Sequence, residues 1–331
     1  MPRNPNAEPK PFVLVPIPSQ APDCRRIVTH ERFSGLTGRL ELTFKVVSEY
    51  LFVGSGAYEF DPNARGDRPD VWYTFYRRDE QICVPGTSIK GAIRAIVEAI
   101  SNSCVSQKHR RERISSRHHE PCRFQNANSS LCPACRLFGT TGYRGRVHFS
   151  DFLPTGEVRT EIVKIGELWE PRRYDPMSRR FYERKSFRPV GDFRPQPGFR
   201  FVEAVRREAQ FRGALIFENL TGAELGLLFH ALGWAVEGKG LKPAFAPKIG
   251  GAKPRCFGSV KFDFQATHLR LWSSNLKSLL APQAMTGDQV LPFLSSCLQE
   301  CQKSGLLYSG AWEVLVQGFQ PQSEPCPKGV Y

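Results

Sequence analysis

Cys132-Pro133-Ala134-Cys135 is a CxxC, and Cys122 lies ten positions before it. Two thiolates at this spacing reach one tetrahedral ion, and a distal Cys with a His completes a Cys₃His set. The spacing predicts His118, four residues before Cys122, as the fourth ligand; His119 and Cys104 are the alternatives. Zinc suits this set, in a structural role, because nothing suggests an open coordination position. The surrounding segment is polar and has little else to fold around. A redox CxxC would need a thioredoxin-like βαβ unit, and none surrounds it. The remaining reading is a pair of incidental thiols. Cys24, Cys83, Cys104, Cys256, Cys297, Cys301 and Cys326 are scattered and read most simply as buried small hydrophobes.

A second chemistry is suggested by two loops rich in glycine and lysine. Gly86-Thr87-Ser88-Ile89-Lys90-Gly91 opens a helix, where free backbone N–H groups favour phosphate and Lys90 and Arg94 add charge. The spacing is not that of a P-loop. Lys248, Gly250, Gly251, Lys253 and Arg255 form the other loop, whose glycines permit close backbone approach. Each loop alone also reads as a common solvent-facing turn. Residues 172–200 hold nine basic residues against three acidic. Arg172, Arg173, Arg179 and Arg180 are interleaved there with Tyr174, Phe181, Tyr182, Phe187, Phe193 and Phe199. Cations track a nucleic-acid backbone while rings stack on bases. The equal alternative is a solvated loop whose rings anchor it to the body.

The elements that must position these groups follow from periodicity. Leu40, Leu42, Phe44 and Val46 alternate with polar residues, which predicts a half-buried strand. Residues 54–70 read as a loop and 71–76 as a strand. A Thr87 or Ser88 cap opens a helix with Ile89, Ala92, Ile93, Ile96, Val97 and Ile100 on one face. Val147 and Phe149 open a second strand and 214–217 a third. Asn219-Leu220-Thr221 leads into a helix bearing Leu225, Leu228 and Leu232. Val260, Phe262 and Phe264 mark a fourth strand. A helix is predicted over about 287–302 and a last strand over 312–316.

In order, the core reads strand–helix–strand twice, an α+β, ferredoxin-like (RRM-like) βαββαβ arrangement. The division is an N-terminal arm (1–37), a palm (38–101, 145–153 and 212–265), a zinc-binding insert (102–144), a basic insert (154–211) and a C-terminal helical extension (266–331). Neither insert has the composition to bury a sizeable core of its own.

The bulk numbers fit. There are 46 Lys and Arg against 32 Asp and Glu, a formal net charge of +14. Such a surplus attracts polyanions: nucleic acid first, then an anionic membrane or an acidic partner. No apolar run approaches a membrane span, and the first residues lack a signal-peptide pattern, so a cytoplasmic protein with reduced thiols is expected.

The chain resembles the RAMP superfamily of CRISPR proteins. Cys83-Val-Pro-Gly86-Thr-Ser-Ile-Lys90-Gly91-Ala-Ile-Arg94 is similar to that family's helix opening. Cys132-Pro-Ala-Cys135-Arg-Leu-Phe138-Gly139, followed by Gly145-Arg-Val-His-Phe-Ser-Asp151, resembles its cysteine-bearing stretch. Asn219-Leu-Thr-Gly-Ala-Glu224-Leu and Gly250-Gly251-Ala-Lys-Pro-Arg-Cys-Phe257-Gly258 resemble its later helix and glycine loop, in the family's order. The resemblance implies a palm that grips guide RNA (crRNA) and a thumb-like insert that interrupts the guide–target duplex. It implies a backbone subunit of a type III-like, III-D-related effector. Such subunits assemble with further copies and other RAMP subunits along the guide and present it to target RNA. Some members cut the target with a loop aspartate and a divalent metal, Mg²⁺ or Mn²⁺, the 2′-hydroxyl attacking the adjacent phosphate. Asp61, Asp67 and Asp70 lie in the corresponding loop; Asp67 is preferred, then Asp70. A non-cutting backbone served by a separate nuclease is the companion reading. A metal-independent guide-processing endoribonuclease using His109, His118 or His119 is a further alternative. A zinc-containing RNA-binding protein outside CRISPR is the last.

Overall fold

The computed structural model describes residues 11–66, 68–106, 119–168, 177–238 and 240–327. The arm supplies strand β1 (Phe12–Pro16) and the short β2 (Arg25–Arg26). Strand β3 (Leu36–Val46) follows, and its alternation buries Leu40, Leu42, Phe44 and Val46 completely. Strands β4 (Gly54–Phe60) and β5 (Val71–Phe75) form an antiparallel hairpin. Helix α1 (Gly86–Ile100) comes next, then β6 (Ser130–Leu131), the short helix α2 (Pro133–Phe138) and β7 (Val147–Phe149). The basic insert contributes β8 (Thr160–Gly166), β9 (Ser178–Tyr182) and β10 (Phe199–Arg206). Strand β11 (Gln210–Leu220), helix α3 (Gly222–Ala231) and strand β12 (Val260–Trp272) complete the centre. Strand β13 (Gln283–Thr286) and helices α4 (Val290–Lys303) and α5 (Ser309–Gly318) end the described chain.

The molecule is mixed α+β with several sheets. The largest runs β7–β11–β3–β12–β13, with each neighbouring pair antiparallel. Its inner face carries the main core, where the Phe44 ring lies 5.3–5.5 Å from those of Phe152, Phe211 and Phe262. Helix α1 packs there by its Ile89–Ile93–Ile96–Ile100 stripe. Helix α3 begins in a capping box: the Thr221 side chain accepts from the Glu224 N–H, and the Glu224 carboxylate accepts from the Thr221 N–H.

A second sheet runs β8–β10–β5–β4. Strand β10 lies parallel to β5, at Val202 opposite Tyr73, so the hairpin and the basic insert share one sheet. Val163, Ile165, Val202, Ala204 and Phe257 pack between them into a core of their own. The insert gives four of these side chains to a core it shares with Tyr50, Phe52, Ala252 and Phe257, and the expectation of a plain loop over 54–70 is corrected, because 54–60 is a strand. Apolar side chains scattered through a polar segment gather once strand pairing places them on one face.

Three further expectations change. Residues 312–316 are helical, because Ala311, Leu315 and Phe319 recur every four residues and are buried together. Thr87 and Ser88 do not cap α1; Pro85 is its N-cap and makes no side-chain cap bond. The Asp151 carboxylate supplies the anion instead, accepting from the Gly86 N–H at 2.9 Å. Gly86 is required there: a Cβ would meet the Phe149 carbonyl oxygen at 2.1 Å. Finally, Cys256 and Cys326 are buried as expected but joined in a disulfide, so they are not reduced thiols, and Cys24 is exposed instead of buried. No helix among the described residues is long and apolar enough to cross a membrane.

Candidate metal centre and nucleic-acid interface

Cys104 lies four residues past the end of α1, and Cys132 is the N-cap of α2, with Cys135 one turn on. Their sulfurs and that of Cys122 all lie within 4.8 Å of one another. Cys104 Sγ is 3.5 Å from Cys135 Sγ and 3.6 Å from Cys132 Sγ. A tetrahedral ion with metal–sulfur bonds of about 2.3 Å requires sulfurs about 3.8 Å apart, so the quartet fits. Its hydrogen bonds fit as well. The Cys132 N–H points at Cys122 Sγ (3.4 Å), and the Cys135 N–H at Cys132 Sγ (3.5 Å). Arg94 Nη2 lies 3.6 Å from Cys135 Sγ. Donors converging on sulfur favour thiolate. Hydrogen bonding from Cys104 lowers the Cys122 and Cys132 pKa values, while bonds to Cys122 and Cys104 raise those of Cys104 and Cys135. Four thiols this close, three of them buried, can all ionise only beside a cation. The four can therefore hold a metal ion such as zinc.

Of the sequence-predicted ligands, Cys122, Cys132 and Cys135 come together. The fourth sulfur is that of Cys104, which the spacing offered only as an alternative, and His118 lies outside the described residues. His119 is fully buried, with Nε2 3.3 Å from Asn102 Oδ1. Antiparallel pairing of β2 with β6 also brings the arm across this centre.

The other family-like residues divide sharply. Arg136 and Arg146 converge on the buried Glu224 carboxylate, Arg146 Nη2 at 2.6 Å, which ties α2 and β7 to α3. Arg94 is spent on Glu98 Oε1 (2.9 Å), the Gly139 carbonyl (3.0 Å) and the Cys135 sulfur, so its expected phosphate role is replaced by a structural one. Lys248 and Arg255 are buried as well. Lys248 donates to the Phe257 carbonyl (3.1 Å), and burial pulls its amine down to about 7. Arg255 donates to the Gly166 and Glu167 carbonyls at 3.1 and 3.0 Å. Cations enclosed and bonded to carbonyls hold a loop's shape instead of meeting a phosphate. Gly250, at φ +75°, is needed because a Cβ would sit 2.2 Å from the Phe52 carbonyl oxygen, and the Gly251 N–H bonds to that oxygen at 2.7 Å. The glycines thus admit Phe52.

Lys90 is half-buried, as is Lys253, and burial lowers both pKa values. Thr87 is exposed and Ser88 half-buried. In the basic insert, Arg172 and Arg173 fall outside the described residues. Arg179 Nη2 donates to the Ser103 and Cys104 carbonyls at 3.0 and 3.3 Å. Arg180 lies over the Phe12 ring, and Phe181 meets Phe319 edge-on. Phe187 packs on Tyr50 and Phe257, and Phe193 on Phe201. These rings are anchors. Asp67 is outside the described residues, and Asp70 is exposed at the hairpin end, its carbonyl accepting from the Asp61 N–H. Among the described residues only the cysteine quartet groups three or more metal-ligating side chains closely.

Both loops emerge at one end of the main sheet. Val260 pairs with Val46, and Gln210 with Lys45, while Leu153, just past the Asp151 that caps α1, pairs with Arg212. The opposite surface of this sheet carries cations that loop motifs do not reveal: Arg39, Lys45, Arg212, Lys261 and Arg270. The signal for them was the polar half of the strand alternation.

A family model described as RAMPs, RAMP superfamily, matches residues 43–261, well over half of the chain. No curated protein matches it.

Proposed function

The chain belongs to the RAMP superfamily, and from that premise we propose that it is a guide-RNA-binding backbone subunit of a type III-like, III-D-related CRISPR effector. In this reading it assembles along the guide with further copies and other RAMP subunits and presents the guide to target RNA. The palm is ferredoxin-like, formed by β3, α1, β7, β11, α3 and β12; the β7–β11–β3–β12 order supports this. The observation that carries the reading is the convergence of the α1 start and the glycine loop at one end of that palm. Residues 154–211, joined in one sheet with the 54–75 hairpin, form the thumb-like insert.

The ion of the cysteine quartet is zinc, held by Cys104, Cys122, Cys132 and Cys135. When bound, it supplies structural cross-linking and no reaction step. Arg94 orients the Cys135 sulfur and Arg179 fixes the turn that carries Cys104. Target cutting through Asp67 or Asp70 gains no second observation, and neither does guide processing through a histidine.

The test is purification from cells carrying the whole effector, followed by sequencing of the bound nucleic acid. Repeat-derived guides of uniform length are expected. A monomer free of co-purifying RNA would overturn the reading.

A further inference from the structure

We propose that the open face of the main sheet is a track for the phosphate backbone of single-stranded RNA, running away from the loop cluster. This rests on the RNA-binding reading and assigns it a surface. Strand register sets which charges face each other there. In the β3–β12 pairing, Lys45 stands directly opposite Lys261 and Arg39 directly opposite Arg270. The inward positions of these strands, among them Leu40, Phe44, Phe262 and Leu269, are buried, so both cationic pairs lie on the solvent side.

Like charges directly opposite in an antiparallel pair destabilise a sheet. Strand pairs in folded proteins favour opposite charges there, and this face holds two violations. Little compensates them. Lys45 meets Glu208 at the strand end, and Arg212 Nη2 meets Glu41 Oε2 at 2.6 Å. Arg39, Lys261 and Arg270 make no ion pair among the described residues, and Asp263 turns its carboxylate to the Gln265 N–H (2.9 Å). A local cost without a local partner marks a surface built for something absent from the chain.

The spacing selects the ligand. Positions 39 and 45 are six residues apart on one strand, about 20 Å at 3.3–3.4 Å per residue. Two separated cation pairs, with Arg212 on the adjoining strand, suit a ligand whose negative charge recurs along its length. A single small anion or an isolated acidic side chain would satisfy one pair and leave the other. The Lys45–Lys261 pair adjoins the end where the two loops emerge, so the track continues from them. Trp272, two residues past Arg270 and half-buried, is placed to meet one base. Otherwise the contacts are to phosphate, and sequence-independent binding follows.

The experiment compares the full-length protein with two double variants, Arg39→Gln/Arg270→Gln and Lys45→Gln/Lys261→Gln. The probe is a fluorescent oligouridylate titrated across a salt series. Each double variant is expected to lose roughly tenfold in affinity, with a salt slope shallower by about 0.7 per phosphate contact removed. Melting temperature should hold or rise, since repulsion is relieved. If one variant melts earlier than the parent, the other decides. Unchanged affinity and slope in the deciding variant overturn the proposal. So does a variant that loses self-association while keeping RNA affinity, which would make the face a protein interface. If the parent itself fails to bind oligouridylate, the RNA-binding reading falls; if the parent binds and the variants bind equally, only the sheet-face assignment falls.

Discussion

The two inserts solve the same problem in opposite ways. Each interrupts the main sheet's chain path with a mostly polar segment. Around Cys122–Cys135 the described part of the first insert has two-residue strands and one short helix, and its centre is four sulfurs. The second insert pairs β8 with β10, borrows β5 and β4, and closes a core around Phe257. One is organised by a point, the other by a surface. A point holds strongly but only while an ion is present, whereas a surface distributes its stability over many contacts.

The largest effect should come from breaking the point. Cys132→Ser is expected to drop bound metal from about one ion per chain to none, measured by atomic emission. Hydrogen exchange should then quicken across 119–140, a loss on the order of 5 kcal/mol locally, while 160–166 and 199–206 keep their protection. Equal loss in both regions would erase the distinction. Next comes the surface. Phe257 is fully buried against Tyr50 and Phe187. Phe257→Ala should cost about 3–5 kcal/mol in denaturant unfolding with metal content unchanged.

The pH response sharpens the surface side. Lys248 sits in the loop that packs on the second sheet, with its pKa lowered from 10.5 to about 7 by burial. Between those values the unfolded chain binds more protons than the folded one, so stability rises with pH across the window and the full penalty is present below it. The expected slope from pH 7 to 9 is at most about 1.4 kcal/mol per unit. Lys248→Met should flatten it in urea titrations. Above pH 9 the buried Cys83 thiol, pushed up to about 11, opposes the trend. The smallest effect tests the join. Arg179, from the second insert, bonds the carbonyl of Cys104, one of the four clustered cysteines of the first. Arg179→Ala should cost about 1–2 kcal/mol and quicken exchange in both inserts at once, where Cys132→Ser and Phe257→Ala each touch one.

The sequence by itself determined what short-range pattern encodes. Alternation in 40–46 marked β3, the 3.6-residue stripe in 89–100 marked α1, and Asn219-Leu220-Thr221 marked the start of α3. The CxxC named two ligands, because three residues is a reach the local chain sets. The 43–261 family match lies on these same segments. Tertiary structure decided everything that depends on pairing across distance. It brought Cys104 to the other three clustered cysteines and Cys326 to Cys256. It turned a Gly-rich loop into a hairpin sharing a sheet with residues more than a hundred positions away. It also spent Arg94, Lys248 and Arg255 on carbonyls and sulfur, and set lysine opposite lysine and arginine opposite arginine on an open face. The reason is that residue type gives a group's charge and reach, while strand register alone decides which group stands opposite it.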